Sequence, residues 1–513
     1  MRFERTKNAS RTFAFGVVSR IITILGPFIT RTIIIKQLGA SYTGLSGLFT
    51  SVLSVLSISE LGIGAAASFC LYKPIADDDK NTIRALLKLL KHLYTIIGAV
   101  ILAIGIALIP ILKYLIKSDV PPGLNIYLLY CIYLLDTAVS YLAFAYKEVL
   151  FKAYQRGDVT HAIRAVVEII KYVLQILILL VFPNYYIFVI ILLLSEVAYT
   201  ICVGVLSKRH FRDLFPDGRV QNDVRKKFWG KVTFLSIHAI ASKLINSADN
   251  IILSAFISLE AVTIYGNYSY ISSSVLGIIL IAYASINPVV GNTINTESVE
   301  KNVDIFNGLW LFSSWVGIWA TTCMVCLFQP FISIWLGNDF LLPTLSMFCV
   351  SLYFHSNVTN QFLTSTYINS AGLWNKTLPR EFIAAGINLA LDILLAKRYG
   401  IIGIVFASFI SSGVISLPYN MIVVYRYVLK EQPIIGIRKI IINFLLMYGV
   451  TALSWYLCSL TQIGGLGDFF LKFILCMIVP NLIMFFLFRR SKEFIFIIDR
   501  VSVLLKRKTS LHT

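Results

Sequence analysis

Two arginines on one apolar helix are the residues best placed to do chemistry in this chain. Arg20 and Arg31 stand in the run SRIITILGPFITRTIII, which is otherwise apolar enough to cross a membrane. Eleven residues at about 100° each make three turns plus about 20°, so the two guanidiniums share a face roughly 16 Å apart. Gly16, Thr23 and Pro27 lie on the same stripe. A cation at bilayer depth costs at least about 2.5–3.5 kcal/mol, so two on one face imply a wet or anion-bearing interior. The next span continues the polar face with Thr43, Ser46, Thr50, Ser54 and Ser57 at helical spacing. Further on, Lys243 opens a second such face with Asn246, Asp249, Asn250 and Ser254. The chemistry is non-covalent capture of an anion, since a guanidinium can hold a phosphate through two parallel hydrogen bonds.

Four carboxylates, Glu60, Asp136, Glu196 and Asp249, also fall within apolar spans. Each can be an ion-pair partner for a buried cation or a protonated group bonded to a neighbouring helix. Alternatively, one switches an arginine between partner and substrate or carries a coupling proton, with Glu60, Asp136 and Asp249 the candidates. Glu168, between Arg164 and Lys171, reads as the centre of a local ion network. The stretch 341–369 gathers His355, Asn357, Thr359, Asn360, Gln361, Thr364, Ser365 and Thr366, which interhelical hydrogen bonding explains as well as a cavity wall does. His355 has no metal partner at ligand spacing and reads as structural.

Enzyme signatures are weak. Asp77-Asp78-Asp79 mimics a nucleotide-sugar metal motif but sits in a short loop with no nucleotide-binding domain around it. Cys323-x-x-Cys326 lies inside a span without a second ligand pair and reads as packing. No GxxxxGK[ST] occurs, so an ATPase is excluded. No metal, cofactor or nucleic acid is implied.

The elements that hold these residues follow from composition. The chain is 57% hydrophobic and 14% charged, against about a quarter charged in a soluble protein, and its mean hydropathy is +0.79. Apolar runs are continuous rather than alternating, which excludes a β-barrel. The fold class is an all-α polytopic membrane protein with about fourteen spans, near 12–35, 43–70, 93–116, 125–147, 163–183, 186–206, 232–257, 262–290, 303–328, 341–369, 379–397, 401–427, 438–459 and 467–488. The first span is too long for a cleavable signal and is expected to stay. The eight cysteines all fall in spans, so no disulfide framework is implied.

A net charge of +19 reports topology. With the N-terminus inside, the opposite side receives only Lys36, Lys113, Lys117, Lys397, Arg398 and Lys472 outside the spans, which places both termini in the cytoplasm. An internal repeat lays YTGLSGLFTSVLSVL (42–56) over VTIYGNYSYISSSVL (262–276), Thr43 on Thr263. The helices before them pair Ser19-Arg20 with Ser242-Lys243, and Pro27 with Asn250. The domains read as a six-helix lobe over 1–206, a basic cytoplasmic linker over 207–231 and a second six-helix lobe over 232–428. Two extra spans over 429–490 and an amphipathic cytoplasmic tail over 491–513 follow. The lobes are related by a pseudo-two-fold along the membrane normal. The tail carries Phe494, Ile497, Ile498, Val501, Leu504 and Leu505 on one face.

The run RTIIIKQLGASYTGLSGLFTSVLSVLSISELGIGAA, followed by LYKPIADDDK, resembles bacterial polysaccharide flippases, the capsule and O-antigen exporters of the multidrug/oligosaccharidyl-lipid/polysaccharide superfamily. SADNIILSAFISLEAVTIYGNY (247–268), AGLWNKTLPRE (371–381) and KRYGIIGIVFASFIS (397–411) extend the resemblance over most of the chain. It implies a non-enzymatic carrier in the bacterial cell membrane. The carrier would turn an undecaprenyl-diphosphate-linked glycan from inner to outer leaflet by alternating access, among membrane lipids and beside a polysaccharide polymerase and glycosyltransferases. It also implies diphosphate binding by Arg20, Arg31 and Lys243. Sugars would occupy the polar faces, including Thr23, Ser46, Thr50, Ser54, Asn246, Asn250, Tyr265, Asn267, Tyr268 and Tyr270. The alternatives are a cation-coupled multidrug exporter of the same fold, whose cavity should be net acidic, and a polysaccharide polymerase, which needs a large outer loop.

Overall fold

Inside lipid every backbone amide must be satisfied within its own segment, which leaves the helix for continuous apolar runs. The computed structural model describes residues 5–57, 62–118, 120–142, 145–284, 286–461, 464–496 and 498, with a few helical positions described in backbone only. No strand occurs among the described residues. Two compact units divide the chain at Gly266 and Asn267.

The first unit holds α1 (Arg5–Gln37), α2 (Ala40–Leu56), α3 (Ile63–Ala76), α4 (Lys80–Leu108), α5 (Ile126–Leu142), α6 (Ala145–Ala153), α7 (Gly157–Val181), α8 (Tyr185–His210) and α9 (Asn222–Phe256). It also takes the beginning of α10 (Leu259–Ala284). The second unit continues with α11 (Asn287–Thr296), α12 (Val299–Trp335), α13 (Thr344–Thr359), α14 (Ser365–Ala371), α15 (Trp374–Tyr399) and α16 (Ile401–Phe409). It ends with α17 (Leu417–Val424), α18 (Pro433–Ser459) and α19 (Gly465–Phe488). Wider π turns, Asn360–Thr364, Ile410–Ser416 and Tyr425–Leu429, join α13 to α14, α16 to α17, and follow α17.

Each of the fourteen apolar stretches is helical over most of its described residues. Among those residues eight helices are long and apolar enough to cross a membrane, and the pair α5–α6, bent by 48°, makes a ninth. The others are short, interrupted or charged. Of the charged ones, α7 carries Arg164, Glu168 and Lys171, and α9 carries Lys243 and Asp249.

Several motifs resolve into local structure. Asp77 ends α3, Asp78 takes a positive φ of 52°, and the Asp79 carboxylate caps α4 by accepting from the Thr82 amide at 3.0 Å. Hydrogen bonds from Thr82 hold the Asp79 carboxyl below its ordinary value, so the acidic triplet is a helix-to-helix turn. In the basic link, helix α8 persists to His210, and the connection to α9 docks on the start of α4. Arg84 donates to the Asp213 carbonyl at 2.7 Å and lies 4.3 Å over the Phe215 ring, while Lys80 pairs with Asp213 at 3.1 Å. At the other end of the chain, Phe494 stacks 5.9 Å from Trp315. Ile497, Val501, Leu504 and Leu505 of the tail stripe lie outside the described residues.

Candidate substrate-binding site

Arg31 is seated rather than dangling. From the last turns of α1 it is half-buried, and Nη2 donates to the Thr263 carbonyl of α10 at 3.0 Å. The seat exists because Gly266 has no side chain: a Cβ there would stand 2.8 Å from Nη2. Thr263, fully buried, turns its hydroxyl back to the Ala40 carbonyl at 2.7 Å, tying the same turn of α10 to the corner between α1 and α2.

That corner continues as a clasp. Gly44 lets α2 lie directly on the Leu259 carbonyl, where a Cβ would collide. Ser41 donates to Glu260 at 2.7 Å. The end of α9 is held from the segment after α4: Lys117 Nζ donates to the Phe256 carbonyl at 2.6 Å, Ser254 donates to the Leu115 carbonyl at 2.7 Å, and Ser118 accepts from the Leu259 amide at 3.2 Å. A cation at a helix C-terminus is favoured by the helix dipole as well as by the bond. The matched turns of the repeat, those of Thr43 and Thr263, thus meet at one place.

The remaining expected residues scatter. Arg20 is exposed, and its carbonyl accepts from Thr23 at 2.9 Å; Lys243 is half-buried. Thr50 is exposed and Ser54 half-buried. Ser46 accepts from the Tyr133 hydroxyl at 3.1 Å, and Asn250 donates to Ser51 at 3.0 Å, joining α9 to α2. Tyr265 donates to Asp249 at 2.7 Å, both buried. Tyr270 is half-buried. Asn267 and Tyr268 are fully buried, and the Tyr268 hydroxyl is consumed by Gln329 at 2.7 Å and the Leu342 amide at 3.0 Å. Glu60 and the Asn246 side chain lie outside the described residues.

The carboxylates sort differently from the expected trio. Lys171 pairs with Glu168, but Arg164 reaches across to Glu196 of α8 at 2.7 Å and lies 3.5 Å over the Tyr199 ring. A cross-helix pair with a bidentate approach outcompetes the intrahelical neighbour. Arg164, Glu196 and Tyr199, with Glu148 and Lys152, line a cavity of about 450 Å³. Asp136 has one buried carboxylate oxygen with no hydrogen-bond partner.

In the second unit the polar stretch 341–369 is largely a hydrogen-bonded core. His355, fully buried, sits 2.5 Å from Asn443 and 3.2 Å from Thr321, which bears out its structural reading. Asn360 accepts from Asn420 at 2.8 Å. Sequence reading missed Asp392, fully buried one turn after fully buried Asn388, which is 3.5 Å from Ser408. The signal was available, since an i, i+4 amide and carboxylate on an apolar helix share a face. Also missed was an apolar cleft of about 440 Å³ walled by α10, α12 and α19, including Ile278, Trp319, Phe331, Phe469 and Phe473.

No protein-family description matches the chain, and no curated protein does. Solved structures do. An inward closed conformation of the lipid II flippase MurJ is similar with a TM-score of 0.68 at 14% identity, covering 93% of this chain and 99% of that one. An inward-facing multidrug resistance MATE transporter of the MOP superfamily gives 0.59 at 15% identity, over 83% and 98%. A MOP superfamily transporter from Pyrococcus furiosus, described by the reverse polarity of its binding pocket, gives 0.52 at 16%, over 83% and 97%. The chain therefore has the MOP transporter fold, a multi-pass membrane architecture. Within that class the flippase and the drug exporters are all neighbours.

Proposed function

We propose that this chain is a flippase, not an enzyme, which moves polyprenyl-diphosphate-linked oligosaccharides from the inner to the outer leaflet by alternating access, for surface polysaccharide assembly. The observation that carries this reading is Arg31, a guanidinium within a membrane helix, which donates to the Thr263 carbonyl and lies against Gly266. A guanidinium presents its donors in a planar fork, and a diphosphate supplies charge and oxygens in the matching geometry. Arg20 and Lys243 add charge toward the same ligand. The apolar cleft beside α19 suits a prenyl chain. In this reading the domains are those expected from the sequence, both termini are cytoplasmic, and the membrane is the bacterial cell membrane. A polymerase and glycosyltransferases act before and after the transfer.

The test is translocation in proteoliposomes. Polyprenyl-diphosphate-linked oligosaccharide should become accessible to an external sugar-modifying reagent with the wild type. Arg31→Ala should slow that by about tenfold or more, one charge-assisted contact being worth about 1.5–3 kcal/mol, while Arg31→Lys keeps part of the rate. An unchanged rate with Arg31→Ala removes the assignment. The half-buried Asp136 and the buried Asp249 and Asp392 favour a second reading, cation-coupled export of small molecules. Drug efflux without glycan translocation would select it.

A further inference from the structure

Three cysteines far apart in sequence meet in the second unit. Cys326 of α12, Cys458 at the end of α18 and Cys476 of α19 are 4%, 2% and 0% exposed. Their sulfurs all lie within 4.8 Å of one another, and Cys458 and Cys476 are 4.0 Å apart. In the sequence Cys323-x-x-Cys326 reads as packing residues, and Cys323 stays outside this cluster. Instead Cys323 turns toward the Cys476 carbonyl, at 4.0 Å.

We propose that these thiols form a site for a soft divalent d¹⁰ cation of the zinc class. A metal about 2.3 Å from each of three thiolates sets sulfurs about 4.0 Å apart when trigonal and about 3.8 Å apart when tetrahedral. The observed triangle closes onto either with small side-chain movement. Two of the three cysteines, Cys326 and Cys458, also wall a cavity of about 560 Å³ that is lined in addition by Gln329, Ser459, Asp468 and Lys472. The cavity gives the ion an entry path and room for a water as fourth ligand. Binding releases one proton from each thiol through that cavity, and three thiolates with a divalent ion carry one net negative charge. Lys472, one turn before Cys476 on α19 and paired with Asp468 at 2.5 Å, supplies the nearby positive charge. Thiolate donors and the apolar setting select soft ions over magnesium or calcium. Once loaded, the site staples α12 to the last two helices, a constraint that packing of three small side chains does not provide.

The experiment uses the full chain purified in detergent, reduced and freed of metal, and titrated with cadmium as the optical probe. One equivalent should bring up a thiolate-to-cadmium charge-transfer band, zinc should displace it, and zinc should raise the unfolding midpoint of the wild type. Cys458→Ser and Cys476→Ala should each abolish the band, while Cys202→Ser, at an exposed position, should leave it intact. The wild-type titration needs no variant, so a misfolded mutant cannot hide the answer. No band, a band that survives Cys458→Ser, or an intact mass showing a Cys458–Cys476 disulfide would each overturn the site.

Discussion

In the first unit ion pairs stand within the helices, Lys171 with Glu168 and Arg164 with Glu196, and the buried Asp249 accepts from Tyr265. In the second the buried polar groups are chiefly amides, hydroxyls and an imidazole. His355 meets Asn443, Asn360 meets Asn420, and Thr322 meets Thr451 at 3.0 Å. Its ion pairs Arg380–Glu381 and Lys472–Asp468 lie near the starts of α15 and α19. The difference has a physical consequence. A neutral pair loses less when one partner changes than an ion stripped of its partner, which leaves an uncompensated charge in low dielectric. The first unit is therefore the one whose interior is fixed by charge, and it is also the one that holds Arg31.

Five substitutions sharpen or break that contrast. Lys171→Met should be the most damaging, about 3–5 kcal/mol in denaturant unfolding, because it strands Glu168. Adding Glu168→Leu should restore most of the loss, and failure to do so would mean the pair is not the source of the effect. Asn360→Leu in the second unit should cost less, about 1–3 kcal/mol, since it leaves only the Asn420 amide unmet. Smallest is a cap comparison. Asp79→Ala should cost about 1 kcal/mol, and so should Ser298→Ala, which removes the acceptor for the Lys301 amide on α12. The two differ in pH dependence. The Asp79 carboxyl is depressed in the folded state, so its contribution is complete above the ordinary aspartate value and fades as pH falls through the folded value. The Ser298 cap should show no such loss when both variants are melted across an acid series.

How much of this was legible beforehand depends on whether the signal was periodic or spatial. The helical membrane class, the approximate span positions and the structural role of His355 followed from runs and spacing within one stretch. Arg31 was legible as a cation on a polar stripe, but its seat was not. Gly266 carries no pattern until α10 is laid against α1. Glu196 was legible as an ion-pair partner for a cation, but its partner was not, because helical spacing sets Arg164 by Glu168 and only the packing of α7 on α8 brings it to Glu196. The bonds of the Tyr268 hydroxyl to Gln329 and the Leu342 amide are likewise contacts that no spacing within one stretch displays. Asp392 was overlooked although its i, i+4 relation to Asn388 was in plain view. The three cysteines are wholly spatial, drawn from helices more than a hundred residues apart at the extremes.

The wide turn at Ile410–Ser416 makes the helix behave like a dial. A π turn holds one residue more than the α-helix it interrupts, so the segment beyond it is rotated by about 100° from where an unbroken helix would carry it. Asn420, which meets Asn360, points where it does only because that extra residue is present. Length is what this stretch has to conserve: loss of a single residue would straighten the helix and turn Asn420 away from its mate.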